Sequence, residues 1–237
     1  MIQKALQYIV NLAEPKVQTI NGETYSDKTM HRVSFNPKAE PIQLNTLTSL
    51  VDYILSDFDT HGKLFVHVVS PTEVTVFSVL DKERIREEIL TVNALVPRFD
   101  FGRFMEHEAF CIGLQSKFQD VGDRALLLKF AGTVEAGSVA QYGDDGVTQK
   151  ATVKTGVASK ADAVVPNPVT LSAYRTFMEV DQPAAQYVFR MKQGPGGDVQ
   201  CALFEADGGA WQTEAKESIK VYLTTEFEGY NDIVVIS

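Results

Sequence analysis

"KLFVHVVSPTEVTVFSVLD", Lys63 to Asp81, sets two runs of β-branched and aromatic residues on either side of Ser70-Pro71-Thr72-Glu73. Such residues suit a pleated, half-buried surface. Proline presets the φ that a tight turn needs, and Ser and Thr hydroxyls bond to nearby backbone. The stretch predicts a β-hairpin with a tight polar turn, and its two strands are expected to be central in a sheet.

Upstream, "LNTLTSLVDYILSDFD" places Leu47, Leu50, Val51, Ile54, Leu55 and Phe58 on one helical face, with Asn45 or Thr46 able to cap the start. "VQTINGETYS" carries Asn21-Gly22 between two short β-prone runs, a strong hairpin signal because both residues tolerate positive φ. The first residues, "MIQKALQYIVNLAEPK", repeat Ile2, Leu6, Ile9, Val10 and Ala13 at helical spacing up to Pro15. Polar residues inside that run distinguish it from a signal peptide or membrane span.

Downstream, Phe104 to Phe118 and "DRALLLKFAGTVE" read as two helices separated by Gly122-Asp123. From Val147 to Val157 the period changes to two, which predicts a half-buried strand entered through Asp144-Asp145-Gly146. "GVASKADAVVPNPV" reads as a long surface loop. "QYVFRMKQGPGGDVQCALFEADGG" predicts a strand pair with Tyr187, Phe189 and Met191 on one face and Val199, Cys201 and Leu203 opposite. A helix through Trp211, Ala215, Ile219, Tyr222 and Leu223 then leads to a terminal strand, "DIVVIS". Interspersed helices and hairpins without a repeated βαβ spacing predict an α+β fold: a mixed, mostly antiparallel sheet with several packed helices. One compact unit over residues 1–237 is the first expectation, and subdomains 1–95 and 96–237, joined near Val92 to Asp100, are the alternative.

A chain of 237 residues that is 44% hydrophobic and 22% charged has the balance of an ordinary globular protein. The net charge of −9 disfavours a nucleic-acid binder that works through its overall field, because phosphate contacts need clustered Lys and Arg. The two cysteines, Cys111 and Cys201, sit in apolar periodic segments. They are expected to be reduced, buried thiols with no Cys or His partner at metal-ligand spacing.

In their order, "LTSLVDYI", "VHVVSPTEV", "FCIGLQSKF", "DDGVTQ", "PNPVTLSAYRTFMEVDQP", "YVFRMK", "ALFEADGGAW" and "IKVYL" resemble segments of the YfdQ-like family of uncharacterised phage and prophage proteins. The resemblance runs from the second helix to the end of the chain. It implies a viral or proviral accessory role in the host cytoplasm, with a host or phage protein as a partner class, and it carries over no catalytic residues.

Several residues stand out as candidates. Asp144 and Asp145 could ligate a hard cation together with Glu179 or Asp181, which would suit a metal-dependent hydrolase. The stronger alternative makes them the polar entrance to a strand. Arg175 and Glu179, four apart in "AYRTFMEVDQP", suit either anion or partner recognition or an internal ion pair that positions the Pro183 turn. "RFDFGRF" sets Arg98 beside Phe99, Phe101 and Phe104, side chains that could stack on single-stranded nucleic acid or form an interface. Inward packing of the three phenylalanines is the competing expectation. No nucleophile elbow, Walker spacing or histidine pair marks a catalytic or cofactor site. The leading expectation is therefore a non-enzymatic, self-associating homo-oligomer, up to a large symmetric assembly. A nucleic-acid or recombination accessory and a metal-dependent hydrolase are the alternatives.

Overall fold

The computed structural model describes residues 2–3, 5–6, 8, 15–29, 38–59, 62–82, 84–133, 141–142, 149–154, 160–164 and 166–237, with backbone alone for 141–142, 149–154 and 160–164. The chain divides into two units, Met1–Ala39 and Glu40–Ser237. In the first, β1 (Val17–Ile20) and β2 (Glu23–Ser26) form an antiparallel hairpin, with Asn21 and Gly22 at φ of 54° and 84° in the turn. The described residues among the first eight are helical.

The second unit is α+β. Its five-stranded sheet has the order β14-β4-β5-β6-β3. Here β3 is Ile42–Leu44, β4 Leu64–Ser70, β5 Glu73–Ser78, β6 Glu88–Asn93 and β14 Ile233–Ile236. The opening hairpin is β4 and β5, and both strands are internal. The alternation predicted by the pleat is present: Leu64, Val66, Val68, Val74 and Val76 are buried on one face. The β4–β5 and β5–β6 pairs are antiparallel, while the outer strands β14 and β3 join in parallel.

Helix α1 (Leu47–Leu55) supplies Leu47, Leu50, Val51 and Ile54 to this core. The Thr46 hydroxyl caps it by accepting from the Ser49 amide at 3.1 Å. The expected apolar face runs too far, because the helix ends at Leu55 and Phe58, beyond it, is 86% exposed. Asp57 at φ 51° has already turned the chain away. The last helix, α4 (Ala210–Glu226), adds Ile219 and Leu223 to the same core.

A four-stranded sheet of order β11-β12-β13-β7 carries the second core. It comprises β7 (Met105–Glu106), β11 (Val169–Ser172), β12 (Ala184–Gln193) and β13 (Val199–Glu205). Tyr187, Phe189 and Met191 face inward with Cys201 and Leu203, as the alternation predicts. Helix α2 (His107–Lys117) covers them with Phe110 and Leu114, and α3 (Arg124–Thr133) with Leu127 and Ala131.

The third sheet, β10-β9-β8, is antiparallel and consists of β8 (Gln141–Tyr142), β9 (Gln149–Lys154) and β10 (Lys160–Val164). β10 corrects the expected surface loop: Ala161 pairs with Val153 and Ala163 with Ala151. Partnering by β9 outweighs the poor strand propensity of Lys, Ala and Asp there. Asp144 and Asp145 lie outside the described residues.

Candidate functional site

The segment "AYRTFMEVDQP" joins β11 to β12 as an irregular turn and ties the two larger sheets together. Gln182 closes it. Its Oε1 accepts from the backbone N–H of Arg175 (2.9 Å) and of Thr176 (3.2 Å), and its Nε2 donates to the carbonyls of Phe177 (2.9 Å) and Val180 (3.3 Å). One buried amide thus satisfies four backbone groups that no ladder reaches. Held in this way, Phe177 inserts into the core of the five-stranded sheet, and the Thr176 hydroxyl donates to the Pro71 carbonyl in the β4–β5 turn at 2.5 Å.

Arg175 and Glu179 do not pair with each other. Glu179 Oε1 instead accepts from the Thr48 amide at 3.2 Å, an acid placed at the start of α1 where unpaired N–H groups collect. Arg175 turns the other way, and its Nη1 donates to Glu205 Oε1 at 2.7 Å. Its guanidinium carbon sits 3.7 Å from the centre of the Trp211 ring and 5.7 Å from that of Tyr187. A one-turn spacing suggested the Glu179 pair, but the segment is not helical, so the geometry behind that spacing is missing.

Burial pushes the Tyr187 phenol up to about 12, an effect opposed in part by Arg175. The phenol and guanidinium act on each other through charge and through a close contact that, among the described residues, falls outside good hydrogen-bond geometry. Asp207 completes the neighbourhood. Its carboxylate accepts from the amides of Gly209 (3.0 Å) and Trp211 (3.4 Å), at the start of α4.

In "RFDFGRF" the rings of Phe99 and Phe101 join the second core. Phe99 meets Phe118 edge-on at 5.0 Å, and Phe101 stacks on Tyr187 at 5.3 Å. These two rings therefore present no face to a base. Phe104 is half-buried against Phe204, with the Lys192 ammonium 4.3 Å above it. Arg98 is exposed and pairs with Asp100 at 3.0 Å.

The thiols need a correction. His107 and Cys111 are four apart on α2, and Cys111 Sγ lies 3.7 Å from His107 Nε2, a partner that the expectation for the cysteines missed. The same Nε2 lies 2.7 Å from the Ala131 carbonyl, which accepts its proton. A nitrogen donating to a carbonyl cannot serve as the base for a thiol. Burial also raises the Cys111 pKa, so the pair is not an activated nucleophile. Among the described residues, no group of three or more His, Cys, Asp or Glu could hold a metal ion, and no helix is long and apolar enough to cross a membrane.

The edges of the two larger sheets differ. β11 is covered, because Gln119 N–H donates to the Ser172 carbonyl and Asp123 bonds Thr170 through both backbone and side chain. β7 is two residues long, and β3 is short and preceded by Pro41. β14 has none of these guards. It reads Ile-Val-Val-Ile, pairs among the described residues only with β4, and leaves Val234 46% and Ile236 43% exposed. Beside it, on the sheet face opposite α1 and α4, Phe65, His67, Phe77, Arg86 and Ile236 line a groove of about 260 Å³.

Comparison of the chain with family models, with curated proteins and with solved structures gives no match in any of the three. The buried Arg175 cluster was only half legible beforehand. Arg175 stood out, but Glu205, Tyr187 and Trp211 reach it from other elements, while Gln182 binds its backbone from the far end of the same turn. The uncharged "IVVI" run was the one signal that could have pointed to the bare edge.

Proposed function

We infer that the protein is a non-enzymatic, self-associating subunit in which β14 of one copy pairs antiparallel with β14 of a second across a two-fold axis. The single observation that carries this is the uncharged β14 edge, uncovered among the described residues, beside other edges of the two larger sheets that are shortened or covered. Such pairing would extend the five-stranded sheet through both copies and bring Val234 and Ile236 toward their symmetry mates. The resemblance to YfdQ-like phage and prophage proteins supports placing this subunit among viral accessory proteins, with further assembly or a host or phage protein partner built on the dimer.

Light scattering behind size exclusion tests it. A dimer or a multiple of it is expected for the wild type at tens of micromolar, and a monomer for Val234→Lys, with circular dichroism unchanged. A monomeric wild type, or an unaltered mass in Val234→Lys, sinks the proposal.

The groove beside β14 supports a second reading. Phe65 and Phe77 are directly paired across β4 and β5, and the Arg86 guanidinium lies 4.8 Å from the Phe65 ring centre, the side-chain types that stack on single-stranded bases. It requires binding of a labelled oligonucleotide that weakens steeply with salt and is lost in Phe77→Ala.

A further inference from the structure

Among the described residues, four polar atoms at the junction of β12, α4 and the β11–β12 connection have no well-formed hydrogen bond. Arg175 Nε and Nη2, Tyr187 Oη and Trp211 Nε1 are all buried, and among the described residues none has a partner in good hydrogen-bond geometry, the Arg175–Tyr187 contact being a loose one. The Arg175 side chain is only 9% exposed, so bulk water does not satisfy it. A buried donor left alone loses its water without compensation, so a cluster of them calls for an acceptor. The neighbouring carboxylates already serve others: Glu205 takes Arg175 Nη1, and Asp207 takes the amides of Gly209 and Trp211.

The geometry of the guanidinium defines what fits. Nε and Nη2 form one edge of the planar group, with two N–H bonds side by side that can grip an oxygen acceptor together. The indole of Trp211 covers a face of the same plane.

Charge then selects among oxygen acceptors. One positive group, Arg175, already faces two negative ones, Glu205 and Asp207. A phosphate or carboxylate would add negative charge where water cannot screen it. A carbonyl oxygen offers the same lone pairs without that cost.

We propose that the Arg175–Tyr187–Trp211 cluster is a binding site for the carbonyl group of an uncharged amide ligand, held by the Nε/Nη2 edge of Arg175 with Trp211 as its wall. The ligand enters past Trp211. Gly208 and Gly209, at φ of 64° and 83° three and two residues before it, lie in the turn that carries the indole. The amide belongs either to a small molecule or to a peptide segment of a partner.

Trp211 is the only tryptophan, so its indole N–H gives a single resonance in an NMR spectrum of the labelled protein. N-methylacetamide and a blocked alanine dipeptide are titrated against it, with acetate and inorganic phosphate as anionic probes. A saturable shift is expected with the amides and not with the anions. Saturation by the dipeptide at lower concentration identifies a peptide source, and equal potency a small molecule. Arg175→Lys keeps a cation facing Glu205 but removes the edge, and is expected to abolish the shift. Tyr187→Phe removes one hydroxyl while keeping the ring, and is expected to weaken the amide about fivefold. The proposal is overturned if no amide shifts the wild-type resonance, if acetate or phosphate does so equally, or if the indole N–H shows only a water contact that amides leave unchanged.

Discussion

Arg175 lies against Trp211, guanidinium carbon to indole centre 3.7 Å, and the contact fixes the start of α4 to the connection between β11 and β12. Trp211→Ala removes the indole from the edge of the second core and leaves the cation without its aromatic face. Urea denaturation is expected to show a loss of about 3 kcal/mol, most of it from packing. A loss under 1 kcal/mol would mean that the stack is incidental.

Gln182 separates hydrogen bonding from bulk. Gln182→Ala leaves two buried N–H groups and two carbonyls without their partner, and should cost about 3 kcal/mol. Gln182→Glu keeps the acceptor but turns a carboxylate toward the carbonyls of Phe177 and Val180. Its folded-state pKa is thereby raised, so its stability should improve as the pH falls from 7 to 5. A pH-independent deficit would contradict that arrangement.

Gly122 sits at φ +59°, and a Cβ there would lie 2.5 Å from the Thr170 carbonyl oxygen. The two effects act together in Gly122→Ala. The backbone is strained and the Asp123–Thr170 bonds that cover the β11 edge are pushed apart. A fall of several degrees in Tm is expected, with faster amide exchange at Thr170. Unchanged exchange would show that the covering segment survives the substitution.

Burial holds the Cys201 thiol up at about 12 against an ordinary 9.0, and the Tyr187 phenol up at about 12 against 10.0. Both neutral forms are favoured by folding, so this stabilisation is complete below about pH 9. It is lost between roughly pH 9 and 12, as the unfolded chain ionises first, at about 1.4 kcal/mol per pH unit for each group. Between pH 8 and 10.5, Cys201→Ala is expected to lose about 2 kcal/mol less than the wild type in urea titrations. Equal losses would show that the thiol titrates normally in the folded protein.

Local pattern determined much of this protein. The period of two in Leu64–Val68 and Val74–Val76 and the Pro71 turn between them specify the central hairpin, because backbone alternation alone assigns their faces. The helical spacing of Leu47, Leu50, Val51 and Ile54, and of Ala215, Ile219 and Leu223, specifies the elements that cover it. The limits of such patterns appear where partners are distant. Lys160–Val164 reads as loop and becomes β10 because β9 completes its backbone bonds. Arg175 reads as the partner of Glu179 and finds Glu205, thirty positions away, because an irregular turn has no fixed period to bring Glu179 alongside. The parallel placement of β14 on β4, and so which edge stays open, depends on how α4 crosses the sheet. Side-chain alternation and helical spacing are properties of a few neighbouring residues and can be read along the chain. The Arg175 cluster and the bare β14 edge arise from contacts among segments far apart in sequence, and only the packing of the two cores brings those segments together.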